Sequence, residues 1–402
     1  MKSDQRVELQ DLTYDEIVEI EDRHTSGASV KRPIALERGL ASTVWDSTGK
    51  AYLDFTSGQG VANVGHNHPF VVQAIKDQLD KLLVCSDAFY HSERALLLDE
   101  LLSITPVDIS RAFFANSGAE AVETAFKLAR VLTGKTGIIA LKRAFHGRTT
   151  GALAATWNPR YKNGFHPLLP DVVHIGYDAV DDLDQALDGN TAAVIIELIQ
   201  GETGIWPLTP EMISTASRLC RERGALLIVD EIQTGFGRTG SMFACEWADL
   251  VPDIMCLGKA IAAGLPMSAV LWRGSLGRFD PGMHGSTFGG FPVVSAAARA
   301  VLKVMHEEQL AQRAAQLGDY LMKGLAAINS PLIRAIRGRG LMVGIDLRIK
   351  AAPVVRGLTE KGILVLRSGS TIIRLLPPLV VTKEEIDRLI SALDEILKDI
   401  VK

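Results

Sequence analysis

Three stretches of the chain are continuously apolar and rich in β-branched residues: Ile138-Ile139-Ala140-Leu141, Ala193-Val194-Ile195-Ile196 and Leu226-Leu227-Ile228-Val229. Runs without polar alternation suit strands buried on both faces, as in a parallel sheet covered by helices. Helical patterns lie between them. One starts after Gly118, where Ala121, Ala125, Leu128 and Ala129 share a face. Asp253 to Leu257 adds a further strand-like run. The pattern from about residue 56 to 290 therefore predicts successive βαβ units in one large domain. Residues 1–55 are mixed and charged and end in a strand-like stretch, Ala51 to Phe55. They read as an N-terminal segment that packs with the C-terminal part. The character changes after Pro292. Leu310, Ala314, Leu317 and Leu321 mark an amphipathic helix, and Leu341 to Leu347 a strand. The last helix opens with a capping box, Thr382 and Glu385, followed by an apolar stripe of Ile386, Leu389, Ile390, Leu393 and Leu397. Residues 291–402 thus predict a second, smaller α/β domain.

Composition removes several classes of function. With 402 residues, the chain is too long for one ordinary core. Its 47% hydrophobic and 22% charged residues match an average globular protein. A net charge of -4 is the wrong sign for a nucleic-acid footprint. No apolar run approaches the roughly 20 residues of a membrane span. The N-terminus, Met1-Lys2-Ser3-Asp4-Gln5-Arg6, has no apolar stretch behind it, so a cytoplasmic location is expected. The four cysteines (Cys85, Cys220, Cys245, Cys256) are scattered and read as reduced, buried thiols.

In open α/β sheets ligands sit at the carboxyl ends of the strands, so the polar residues ending each run carry the candidate chemistry. Asp230 and Glu231 close the strongest strand. Two adjacent carboxylates there are costly unless paired with a cation, and a salt-bridged strand end is the competing reading. Asp253 to Leu257 leads into Gly258-Lys259-Ala260. A lysine after an apolar strand, among small neighbours, is placed to be desolvated, with a lowered pKa and nucleophilic character toward carbonyls. Asn116-Ser117-Gly118-Ala119-Glu120 precedes a helix, whose free N–H groups and dipole suit a phosphate; a plain helix cap is the alternative. Phe145-His146-Gly147-Arg148-Thr149 offers an aromatic ring to stack on a flat group and an arginine to fork onto a carboxylate. Two motifs are set aside. Gly338-Arg339-Gly340 with Gly344 precedes a strand instead of joining a strand to a helix. His66 and His68 lack partners at metal-ligand spacing and mark a turn before Pro69.

In this order, and together with Gly201-Glu202-Thr203-Gly204, Gln233-Thr234-Gly235-Phe236-Gly237-Arg238, Gly285-Ser286-Thr287-Phe288-Gly289-Gly290 and Ile373-Arg374, these motifs resemble the class III aminotransferases, the acetylornithine and ornithine aminotransferase family of fold-type I pyridoxal 5'-phosphate (PLP) enzymes. The resemblance runs from about Ala51 to the C-terminus. It implies that Lys259 holds the cofactor as a Schiff base and shuttles the proton. It implies that Asp230 keeps the pyridine nitrogen protonated, that Gln233 lies near the phenolic oxygen and that Phe145 stacks on the ring. Gly118 and Ala119 would cradle the phosphate, and Thr287 would reach the cofactor of a neighbouring subunit in an obligate homodimer. On the substrate side, Arg374 and Glu202 match an arginine that binds an α-carboxylate in one half-reaction and is covered by a glutamate in the other. Arg148 matches a second carboxylate-binding arginine, Ser286 lies beside the substrate, and Tyr90 lines its pocket. Three positions depart from the family pattern: Ala119 in place of a frequent threonine, Phe291 in place of asparagine, and Gln59 where ornithine-specific relatives carry an aromatic residue.

The expectation is an ω-aminotransferase of arginine or lysine biosynthesis. It would move the terminal amine of N-acetylornithine, or of a lysine precursor linked to an amino-group carrier protein, to 2-oxoglutarate. Rivals on the same scaffold are ω-aminotransferases for 4-aminobutyrate, ornithine or simple amines, and a racemase or aminomutase, which would need no Glu202–Arg374 exchange. A non-catalytic PLP-binding protein is the remaining alternative. No metal and no nucleic-acid or membrane partner is expected.

Overall fold

The structure is a computed structural model that describes residues 12–401. Its centre is a seven-stranded sheet in the order Ile109–Ala115, Ser268–Arg273, Ile254–Leu257, Leu226–Asp230, Thr191–Ile196, Gly137–Leu141 and Val172–Ile175. Ser268–Arg273 pairs antiparallel with both neighbours; the other pairings are parallel. The continuous apolar runs are explained by two cores, one on each face. Ile138, Ala140, Ile195 and Ile228 face helix Gly118–Thr133, where Ala121, Ala125, Leu128 and Ala129 are fully buried. Ile139, Leu141, Val194, Ile196, Leu227 and Val229 join the core of the opposite face. Period-two alternation persists, but both sets are apolar because both faces are covered.

Helix Gly118–Thr133 is capped by the Ser117 hydroxyl, which accepts the Glu120 N–H at 3.2 Å, and ends on Gly134 in the left-handed region. Past residue 291 the helix Pro292–Glu307 packs on helices Pro69–Leu79 and Ser92–Ser103. A separate four-stranded antiparallel sheet follows, in the order Ile333–Arg339, Met342–Leu347, Ile372–Leu375 and Leu366–Ser368, with helices Leu310–Ala327, Ala351–Glu360 and Lys383–Val401. Thr382 and Glu385 form the capping box, with N–H to side-chain distances of 2.9 and 3.2 Å. The strand Ala51–Asp54 pairs parallel with Ile363–Leu364, joining the N-terminal segment to this part of the chain.

Arg238 locks the segment after Asp230 to the rest. It is fully buried and donates to the carbonyls of Leu341 and Pro377, to Ser57 Oγ (3.2 Å) and to Asn63 Oδ1 (2.6 Å). Burial pulls its pKa down to about 9. Gly338 lies near the end of the first strand of a β-hairpin, paired with Val343, and Gly340 sits in its turn, so the motif joins two strands and not a strand to a helix. His66 and His68 each bind a single carboxylate, Asp54 at 2.7 Å and Glu308 at 2.9 Å. Among the described residues no His, Cys, Asp or Glu group could hold a metal, and no helix is long and apolar enough to cross a membrane. All four cysteines are free and buried.

Candidate active site

The strands deliver their ends to one edge of the sheet. Leu226–Asp230 ends in Asp230, Ile254–Leu257 leads to Lys259, Thr191–Ile196 leads to Glu197, Gly137–Leu141 leads to Phe145 and Arg148, and Ile109–Ala115 leads to the start of helix Gly118–Thr133. These residues, with Gln59, Glu202 and Gln233, line a cavity of about 440 Å³.

Asp230 lies at the cavity's inner wall and is 4% exposed. One carboxylate oxygen accepts the Ile232 N–H at 3.0 Å; the other lies 2.7 Å from His146 Nδ1. The expected cation for the Asp230-Glu231 pair is therefore not a lysine or arginine salt bridge. Asp230 is held by a histidine. Glu231, fully buried on the other face, is satisfied by the Cys245 N–H (2.8 Å) and the Thr234 hydroxyl, and burial raises its pKa. Lys259 sits with φ 45°, a left-handed conformation rare outside glycine and typical of constrained sites. It is half-buried and lines the cavity, and its amine is desolvated by the surrounding protein. That desolvation lowers its pKa, against the opposing charges of Asp230 and Glu197.

Behind Glu202 and Gln59 of the cavity wall, Arg374, 2% exposed, donates to Glu202 Oε2 at 2.9 Å, to the Gly201 carbonyl at 3.0 Å and to Gln59 Oε1 at 3.3 Å. Arg148 is exposed, stacks on Tyr161 with its guanidinium carbon 3.8 Å from the ring centroid, and has no carboxylate partner among the described residues. The cavity thus carries one open arginine, Arg148, and a glutamate, Glu202, that masks a second arginine behind its wall. Three of the sequence-derived positions lie elsewhere in this single chain. Ser286 Oγ is 3.2 Å from Asn116 Nδ2, Thr287 is exposed, and Tyr90 is fully exposed. Phe291 packs edge-on against Phe288 at the start of the following helix.

Sequence reasoning missed His146, Glu197 and Tyr161. Glu197 accepts the N–H groups of Phe145 (3.1 Å) and Gly201 (3.3 Å), and burial pushes its pKa well above the carboxylate range. It follows an apolar run as Asp230 does, so the same strand-end rule would have found it. Tyr161 carries no such signal.

The residues fit a flat, phosphorylated pyridine. Buried Gln233 Oε1 and His146 Nε2 have no hydrogen-bond partner among the described residues. Gly118 and Ala119, in the first turn of their helix, line the cavity, where a helix start favours an anion. Gly147, at φ 139°, lets the Phe145 loop lie against this cradle: a Cβ there would come within 2.8 Å of Ala119 Cβ. A sheet covered on both faces, with a half-buried lysine and a buried aspartate at its carboxyl edge and the start of a helix beside them, matches a PLP-dependent enzyme of fold type I.

The comparisons with known proteins narrow this to a family. The family model described as aminotransferase class-III matches residues 25–397, and the chain belongs to the class III aminotransferases, which work with PLP. It is 43% identical to the [LysW]-aminoadipate semialdehyde transaminase of Deinococcus radiodurans over 94% of this chain and 90% of that protein. It is 42% identical to the acetylornithine aminotransferase of Methanosarcina acetivorans, over 95% and 96% of the two chains. The ornithine aminotransferase of Toxoplasma gondii superposes with a TM-score of 0.92 at 33% identity, covering 98% of this chain and 97% of that one. A second structure of that enzyme is described with partial occupancy of PLP at its active site.

Proposed function

We propose that this aminotransferase moves the terminal amino group of N-acetylornithine, or of a related blocked diamino acid including a carrier-protein-linked lysine precursor, to 2-oxoglutarate. The products are glutamate and a semialdehyde, formed in the cytoplasm in arginine or lysine biosynthesis. The observation that carries the reading is that the cavity of Lys259 is lined by an unpaired arginine, Arg148, and by Glu202, which masks a second arginine, Arg374, directly behind it. One site must accept two substrates in turn. A donor whose amine is distal needs its α-carboxylate held far from Lys259, by Arg148, with Arg374 neutralised by Glu202. Glutamate and 2-oxoglutarate carry two carboxylates and need both arginines. The names of the similar proteins from Deinococcus radiodurans and Methanosarcina acetivorans support this substrate class and an amino-group carrier protein as partner.

In this reading Lys259 and Asp230 are the catalytic residues. When bound, PLP supplies an electron sink for the carbanion at the carbon that loses its proton. Lys259 Nζ, made basic at lower pH by burial, takes that proton from the substrate carbon. Asp230, oriented by His146, holds a proton on the pyridine nitrogen. Gly118 and Ala119 hold the phosphate, Phe145 and Gln233 the ring. Half-buried Ser286, with Thr287 and Tyr90, which are exposed in one chain and bordered by exposed Phe89 and Phe288, would complete the site across a homodimer. The test is an amine-donor panel read by glutamate formation from 2-oxoglutarate, comparing acetylornithine, ornithine, acetyl-lysine, 4-aminobutyrate and aryl amines. Preference for the blocked diamino acids is expected. Reaction of 4-aminobutyrate or aryl amines alone would overturn the assignment.

A further inference from the structure

Tyr161 touches both halves of the carboxylate site. It lies in the short helix Pro159–Lys162, which starts on the Asn158 side chain and is tied down by Lys162 Nζ on the Ala154 carbonyl at 2.9 Å. Its ring is the platform under Arg148, 3.8 Å from the guanidinium carbon, and meets Phe145 edge-on at 5.9 Å and 86°. Its hydroxyl donates to Glu202 Oε1 at 3.3 Å, while Glu202 Oε2 accepts from Arg374 at 2.9 Å. The two oxygens of one carboxylate are therefore claimed by two different donors. The arginine holds the short bond and the phenol a long one.

Resting on the two-arginine reading above, we propose that Tyr161 is the positioning residue that couples the two carboxylate subsites: its ring fixes Arg148, and its hydroxyl takes over Glu202 when an incoming carboxylate displaces it from Arg374. A carboxylate that loses its cation inside a half-buried site needs another donor, and hydrogen bonds to charged groups are the stronger ones. A hydroxyl already within 3.3 Å can shorten its bond as the carboxylate leaves Arg374. Burial and the negative charge of Glu202 raise the phenol's pKa, so it stays a donor across the neutral range. The displaced state is thereby stabilised by a group that contributes less to the masked state, and this favours binding of dicarboxylates.

The test uses holoenzyme and glutarate, an unreactive dicarboxylate, with affinity read by calorimetry and each half-reaction followed separately by absorbance. Tyr161→Phe keeps the platform and removes the hydroxyl. It is expected to weaken glutarate about tenfold and slow the glutamate half-reaction by a similar factor, from the loss of one charge-assisted bond. The donor half-reaction should keep its KM within about twofold, since the ring under Arg148 remains. Tyr161→Leu removes the ring as well and should raise the donor KM. Glu202→Ala moves glutarate the other way, to tighter binding, because it unmasks Arg374. In that background Tyr161→Phe should have no further effect. Tighter or unchanged glutarate binding in Tyr161→Phe, or equal slowing of both half-reactions, would overturn the proposal while leaving the switch intact. Failure of Glu202→Ala to tighten glutarate would instead remove the two-arginine reading, and the proposal with it.

Discussion

Glu202→Ala isolates the dual-substrate argument. In the structure Arg374 is almost wholly buried, and Glu202 is its only carboxylate partner among the described residues. The pair is half-buried on the glutamate side, 34% exposed, so its strength lies well below a fully desolvated pair. A hydrogen bond to a charged group of this kind contributes about 1.5–3 kcal/mol. Any substrate that binds Arg374 must first give up that amount, and each 1.4 kcal/mol is a factor of about ten. Removing Glu202 should therefore lower the glutamate KM by roughly 10- to 100-fold. The donor half-reaction should lose a similar factor in kcat/KM. Its α-carboxylate would now bind Arg374 as readily as Arg148, with the terminal amine turned away from Lys259. Arg374 keeps the Gly201 carbonyl and Gln59, so the fold should survive. The assay is rapid-mixing absorbance of the two half-reactions, each with one substrate. Parallel loss in both would refute the reasoning and reduce Glu202 to a structural ion pair.

Arg238→Met leaves acceptors on Leu341, Pro377, Ser57 and Asn63 without their donor in a dry interior; a loss of about 3–5 kcal/mol is expected by denaturant unfolding, and an unchanged midpoint would contradict it. Gly147→Ala forces a methyl to within 2.8 Å of Ala119 at a φ of 139°, so PLP affinity should fall at least about tenfold by equilibrium dialysis, with a stability cost of about 1–3 kcal/mol. PLP capture by the apo protein requires neutral Lys259. Because burial lowers that pKa, the capture rate should rise with pH and level off below the value of about 10.4 for a free lysine; a rate that follows free lysine would show the amine is not desolvated.

Much of this site is local in the sequence. Ile138 to Leu141 and Leu226 to Val229 read as doubly buried strands because both of their faces carry apolar residues, and Asp230 and Lys259 stand out because each ends or follows such a run. What escaped depends on neighbours distant in the chain. His146 was visible within its motif, but its bond to Asp230 exists only because their strands end at the same edge of the sheet. Tyr161 has no periodicity or motif to mark it; its role comes from the fold of the loop that returns it beneath Arg148. The strand Ser268–Arg273 is apolar enough to be seen, but its antiparallel placement between Ile109–Ala115 and Ile254–Leu257 is set by long-range pairing.

The central claim is that Lys259 carries the cofactor. Borohydride reduction of the PLP-loaded enzyme, followed by peptide mapping, tests it directly. Pyridoxyl label should appear on Lys259 and vanish, with the yellow absorbance, in Lys259→Ala. Label on another lysine, or a Lys259→Ala protein that still turns over, would contradict the account.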